Sequence, residues 1–211
     1  MYYNFFLCSD AYSQDINIKS FEGKEILPYV KEITELCLII YKEYPFLYEG
    51  TEAEYLPFIE YYAQSDQSIA CIVFDHARPV GVAIGMPLHL MREKYQTPFS
   101  NLCPNEILSE FFYLGEFLLL HEYRGQNLGK QMYLEFERLI QNKDQKNICF
   151  CSIDETLTFT PPPLNYHPLE EFWCHLGYQK CKEMTFSIDW RNISESQDSS
   201  HPMIYWIKKI R

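Results

Sequence analysis

Residues 111–129 read FFYLGEFLLLHEYRGQNLG, and the rest of the chain is best understood outward from them. Phe111 to Leu120 is an almost unbroken apolar run, interrupted by the carboxylate of Glu116. A run this short and this apolar predicts a strand covered on both faces. His121-Glu122-Tyr123 leads out of it, and Arg124-Gly125-Gln126-Asn127-Leu128-Gly129-Lys130 turns into a helix that lasts to about Ile140. On that helix Leu128, Met132, Phe136, Leu139 and Ile140 share the core face, while Gln131, Glu135 and Arg138 face away. A strand that ends in a glycine-containing turn and opens a helix is a recurrent anion site. The first helical amides lack backbone partners and the helix dipole favours negative charge there. Glycine lets the backbone approach a phosphate closely, and Arg124 and Lys130 add positive charge.

The spacing narrows the anion. A nucleotide-triphosphate loop places four residues between its first Gly and a Gly-Lys-Ser/Thr; Gly125 and Gly129 enclose three, and Gln131 follows Lys130. That excludes the standard P-loop on spacing and on the missing magnesium-binding hydroxyl. The G-x-G-x-x-G dinucleotide fingerprint is absent too.

Upstream, Ile26, Val30, Ile33, Cys37, Ile40 and Tyr44 recur at helical spacing, which predicts a helix over 25–44 with Pro28 in its first turn and Pro45 as its stop. Thr51 and Glu54 stand in capping-box spacing at the head of a second helix to Ala63, with Pro57 in its middle. Residues 68–74 and 80–86, SIACIVF and VGVAIGM, flank a turn and predict a hairpin. Residues 89–110 have weak periodicity and read as a loop with a short helix, long enough to be an insertion or lid. Downstream come a strand over 147–153, a rigid TPPPL connector, a short helix over 168–175 capped by Gly177, and strands over 178–190 and 203–210. No internal repeat or second domain is visible, so 1–211 reads as one domain with an extension over 1–17.

The turn at 124–129 resembles motif A of the GNAT superfamily of acyl-CoA-dependent N-acyltransferases: Arg or Gln, two residues, Gly, one residue, then Gly or Ala. Arg124 and Gly129 match its ends, and Asn127 stands where the family usually has Gly. Asn tolerates the left-handed conformation better than most residues. Phe172-Trp173-Cys174-His175-Leu176-Gly177-Tyr178 resembles the family's later F-Y-x-x-L-G-F segment, and the element order fits over about residues 20 to 210. The resemblance implies an α+β fold: a mixed, mostly antiparallel central sheet flanked by helices, with a strand pair splayed at the acyl-CoA cleft. It implies acetyl-CoA as acyl donor, with Leu118 and Leu120 lending backbone groups to the acyl carbonyl and pantetheine. Arg124, Gly125, Gln126, Asn127, Leu128, Gly129 and Lys130 would hold the pyrophosphate, and Asn165 would contact the pantetheine. It also implies direct attack of an amine on the thioester, which needs a base. Glu116 is the candidate, because a carboxylate inside an apolar strand has its pKa raised by burial. The family's thiolate-protonating Tyr is replaced by Trp173, whose indole is no practical acid. Tyr166 or Tyr178 could serve, or the thiolate leaves unaided. The alternative to an N-acetyltransferase is a catalytically weak module that binds acyl-CoA for sensing or scaffolding.

Composition sets the outer limits. A net charge of −11 argues against nucleic acid or an anionic membrane surface as partner. The acidic, aromatic stretch 44–62 points to a cationic amine acceptor, whether small molecule, peptide or protein. Eight cysteines without a CxxC give no metal site, so none is expected, and they read as buried thiols of a reducing compartment. Cys149 and Cys151 share one face of a strand, with nothing in sequence to activate a thiolate. His121 reads as structural or as a surface residue, and Trp173 and Phe172 as packing. The N-terminal MYYNFFLCSD lacks the basic flank of a signal peptide, and a cytoplasmic monomer or homodimer is expected.

Overall fold

The computed structural model describes residues 15–100, 108–157, 161–193 and 195–211. Cys8, Cys103, the first fourteen residues of the expected extension, positions 101–107 of the expected lid and Thr160 lie outside the described residues.

Seven strands form one mixed sheet. They are β1 (Ile16–Glu22), β2 (Ile69–Asp75), β3 (Arg78–Pro87), β4 (Phe111–Leu119), β5 (Asn147–Ile153), β6 (Gln179–Trp190) and β7 (Ser199–Lys209), in the spatial order β1-β2-β3-β4-β5-β7-β6. Every neighbouring pair is antiparallel except β4 and β5. Five helices flank them: α1 (Val30–Ile40), α2 (Glu52–Ala63), α3 (Glu93–Ser100), α4 (Leu128–Gln141) and α5 (Glu170–His175). The α+β architecture expected from the sequence is the observed one.

The strand over 111–119 is where this sheet departs from regularity. Ile84 pairs with Glu116 and Gly85 with Leu114, so Gly115 is an extra residue, a β-bulge. The bulge changes which face each side chain takes. Phe112 packs against Phe136 of α4, and Phe117, five residues on, still faces the helical side of the sheet, against Phe172 and Trp173 of α5. Strict alternation would put Phe117 opposite Phe112. On the other face, Gly115 leaves room for the Tyr62 phenol of α2, since a Cβ there would lie 1.9 Å from its oxygen. Glu116 follows on that same face, beneath α1.

Beyond the bulge β4 and β5 part. They pair only at Phe111–Asn147, Phe112–Ile148 and Tyr113–Cys149, although β5 continues to Ile153 fully paired with β7. The expected splayed pair is therefore present, and it opens between the ends of the two parallel strands.

Some expected boundaries move. The single helix over 25–44 begins as a 3-10 segment, Gly23–Tyr29, that contains Pro28, and α1 proper ends at Ile40. Proline removes one hydrogen bond of the α ladder, which the tighter helix tolerates. The capping box of α2 is as read: the Thr51 amide and hydroxyl both meet Glu54, at 2.7 and 2.8 Å. Strand β1 is new, a short edge strand on β2. The short helix read within 89–110 is α3, whose Tyr95 and Phe99 pack on Tyr113, Phe111 and Tyr205. The core face of α4 gains Tyr133 and Glu137, while Leu139 is only half-buried. Glu137 is paired there with Lys208 of β7 at 2.6 Å. The cap of α5 follows the glycine as read. Gly177 has φ +90°, and its amide and that of Tyr178 close onto Cys174 and Trp173.

Candidate functional site

The site grows from the same bulge and turn. After β4, one 3-10 turn, His121–Tyr123, brings the chain to Arg124. Gly125 and Asn127 then take left-handed conformations, φ +73° and +64°. Two such residues flanking Gln126 curl the backbone into a concave loop ahead of α4. Among the described residues, the amides of Gly125 through Lys130 donate to no protein acceptor, and the first closed helical bond is Gln131 to Asn127 at 3.1 Å. Six successive free amides at the head of a helix form a cradle for an anion. Asn127 thus adopts the conformation in which the family's glycine is usual, and the turn is intact with it.

Arg124 is held in two directions. Its Nε donates to the Leu119 carbonyl at 2.8 Å and one terminal nitrogen meets Glu43 at 2.7 Å. Glu43 comes from the turn after α1, a contact across 81 residues that no local pattern in the sequence announces.

A cavity of about 1230 Å³ opens from this cradle into the gap between β4 and β5. Leu118, Arg124, Gly125, Asn127, Gly129, Lys130 and Asn165, all named in the sequence reading, line it. Gln126, Leu128 and Leu120 do not. Gln126 turns its side chain back onto the Glu122 carbonyl at 3.1 Å, and Leu128 and Leu120 are buried in the core. The expected use of Leu118 and Leu120 backbone groups needs correction. Leu120 donates its amide to Val80 on β3 at 3.0 Å. Strand alternation then turns the backbone of Leu118 toward β3 as well, and that of Phe117 and Leu119 toward the open edge. The bulge at Gly115, a glycine inside a strand, was the sequence signal for this shift.

A second, smaller cavity of about 270 Å³ lies on the other side of the bulge. Tyr41, Phe46, Gly115 and Cys151 line both, so the two meet there. Glu116 sits on the wall of the smaller one, 4% exposed. Burial pushes its carboxyl up to about 7, against a hydrogen bond from the Tyr41 hydroxyl that pulls the other way. The rest of the wall is aromatic, with Tyr48, Tyr55, Phe58 and Trp190, together with Glu54, Asp189, Arg92 and Lys94. Arg92, Lys94 and Tyr95 come from the 89–110 segment, whose fold onto the sheet was not legible locally.

The candidates for a proton donor to a leaving thiolate separate cleanly. Tyr178 is buried, accepts from Tyr133 at 3.1 Å, and is outside the large cavity. Tyr166 lines that cavity and donates to Glu155 at 2.7 Å. Trp173 borders it but is packed on Phe117, Phe150 and Phe172 at ring distances of 5.1, 4.3 and 4.9 Å. Burial holds the Cys149 thiol well above its ordinary range and pushes Cys151 to about 12, so neither is an activated nucleophile. Among the described residues, no group of three or more His, Cys, Asp or Glu is placed to hold a metal, and no helix is long and apolar enough to cross a membrane.

No family model and no curated protein sequence matches the chain. Solved structures do. A GNAT-family acetyltransferase of Staphylococcus aureus Mu50 superposes with a TM-score of 0.58 at 16% identity, over 93% of this chain and 99% of the other. The aminoglycoside 6'-N-acetyltransferase of Enterococcus faecium gives 0.57 at 14% identity, over 92% and 97%. The PaiA N-acetyltransferase of Thermoplasma acidophilum, solved with coenzyme A, gives 0.54 at 13% identity, over 92% and 99%. The chain has the GNAT fold.

Proposed function

We propose that the chain is an N-acyltransferase that moves an acyl group, acetyl in the simplest case, from coenzyme A to an amine. One observation carries this reading: a cradle of six free amides and a buried carboxylate raised to about 7 border two cavities that meet at the bulge beside the parted strands. The residues fit the cofactor. Unpaired amides with Arg124 and Lys130 suit a pyrophosphate, and the gap between β4 and β5 suits a flexible arm that hydrogen-bonds to exposed strand backbone. Phe117 offers that backbone, Leu119 its amide while its carbonyl holds Arg124, and Asn165 also lines the cavity.

When bound, the thioester supplies an activated acyl carbon; the protein supplies position and proton transfer. The acceptor enters the smaller cavity as an ammonium, which its aromatic wall and Glu116 favour. Glu116, poised near neutrality, removes the proton, directly or through one water. The amine nitrogen then forms its bond to the acyl carbon as the carbon–sulfur bond breaks. The acylated nitrogen gives up its second proton, to water or to the departing sulfur, and Tyr166, which lines the larger cavity with Tyr41 and Tyr44, is placed to relay it; an unassisted thiolate departure needs no relay. The segment over 89–100 acts as a wall of the acceptor site.

Release of the coenzyme A thiol on mixing the protein with acetyl-CoA and a panel of amines tests this. Release that depends on both the amine and Glu116 supports it. Acetyl-CoA binding without release for any amine would leave a binding module and overturn the transferase.

A further inference from the structure

The smaller cavity contains two cations that the transfer reaction leaves unused. Arg92 and Lys94 both face it, and among the described residues neither has a salt-bridge partner. That is unusual company in a chain of net charge −11, where carboxylates outnumber cations 29 to 18. Arg92 is held in place by rings: its guanidinium lies 5.3 Å from the centre of Phe58 and 5.7 Å from that of Tyr61. Tyr61 in turn donates its hydroxyl to the Leu90 carbonyl, which fixes the turn that carries Arg92. Such a mount leaves the guanidinium edge, with its planar fork of donors, free for an anion.

Lys94 stands beside it. Partial desolvation and then the like charge of Arg92 hold its ammonium below the ordinary range, and Cys151 and Asp189 offset this only in part. Both cations are open to solvent at the cavity mouth, and Lys94 lies over the Tyr95 ring at 5.1 Å. Of the carboxylates on the same wall, Glu54 accepts from Thr51 and Glu116 from Tyr41, while Asp189 forms no ion pair with either cation.

We infer that Arg92 and Lys94 bind an anionic group on the acceptor, so that the substrate is a small amine that also carries a carboxylate or a phosphate. The inference rests on the acyl-transfer reading and narrows it. A cavity of about 270 Å³ is at the small end of ligand sites and suits a molecule of amino-acid size. The ammonium end goes to Glu116 and the aromatic wall, and the anionic end to Arg92 and Lys94. The acidic stretch that suggests a cationic acceptor thus describes only one end of the molecule.

Four acceptors of similar size separate the possibilities: β-alanine, 2-aminoethyl phosphate, ethanolamine and 1,4-diaminobutane. Two readouts are taken: thiol release with acetyl-CoA, and the thermal shift each compound gives to the protein saturated with coenzyme A. The anionic amines are expected to outperform the other two in both. Arg92→Gln and Lys94→Met should each raise KM for them about tenfold or more with kcat little changed, as loss of one charge-assisted contact implies. Arg92→Lys should recover part of the loss, and the rise in KM for ethanolamine should be several-fold smaller than for the anionic amines. Preference for the carboxylate or for the phosphate identifies the anion, and both uphold the site. Turnover confined to ethanolamine or the diamine overturns the anion site and leaves the transferase standing. A thermal shift by the anionic amines that both variants abolish, without turnover of any amine, upholds the anion site and overturns the transferase. Neither turnover nor shift overturns both.

Discussion

Replacing Glu116 with glutamine separates the two consequences of burying a carboxylate. Its folded pKa of about 7 lies above the ordinary 4.5, so the folded state binds its proton more tightly than the unfolded chain. Stability from this group is therefore full below about pH 4.5 and is lost as pH rises to about 7. At pH 8 the ionised carboxylate costs up to about 3 kcal/mol. Glu116→Gln should accordingly melt higher than the parent at pH 8 and show little gain at pH 5. Activity should move oppositely. The parent rate should climb as pH rises through about 7, when the base form appears, and the variant should lose about 10²- to 10⁴-fold with no such step. A variant that keeps the step would take the base role from Glu116. Asn127 makes a second residue-scale case. At φ +64° a β-branched side chain is strained, so Asn127→Val should cost about 1–2 kcal/mol in denaturant unfolding and weaken acetyl-CoA binding, while Asn127→Gly should keep both.

At the scale of elements, the bulged strand decides the site. Gly115→Ala places a Cβ 1.9 Å from the Tyr62 oxygen, and no rotation of a flexible tip relieves a fully buried ring. Equilibrium unfolding should show a loss of about 1–3 kcal/mol or more. The sequence displayed this strand, the turn after it and α4 clearly, because apolar periodicity and glycine placement are local signals. It displayed the capping box of α2 for the same reason. The face change at Gly115 was less legible. One glycine in a strand announces a bulge only weakly, and the resemblance that implied backbone roles for Leu118 and Leu120 carried no register; alternation turns the backbone of Phe117 and Leu119 to the open edge. Strand β1 went unread because a half-exposed edge strand has little apolar excess to reveal it.

Across the whole molecule, the contacts that assemble the site join parts remote in sequence. Glu43 reaches Arg124, Tyr41 reaches Glu116, and the α3 region closes the smaller cavity. None of these has a local pattern, so the sequence displayed the turn at 124–130 and the aromatic, acidic stretch 44–62 that gives Tyr48, Glu54, Tyr55 and Phe58 to the smaller cavity, but not how residues 92–95 join them. The buried pair Glu137–Lys208 ties α4 to β7 over β5, the strand whose far end frames the gap. Lys208→Ala leaves Glu137 buried without its partner and should cost about 3 kcal/mol in unfolding free energy. The central claim, however, is that the parted strands receive coenzyme A, and thermal unfolding with acetyl-CoA tests it most directly. At about 100 times its dissociation constant the ligand should stabilise the fold by about 2.7 kcal/mol. Gly129→Glu is the control. A Cβ there meets only Phe117 and Leu119 at 3.8 to 4.0 Å, so the variant folds, while its carboxylate opposes the pyrophosphate. A shift in the parent that the folded variant lacks is the predicted result; no shift in the parent at millimolar acetyl-CoA, or an equal shift in both, would contradict the account.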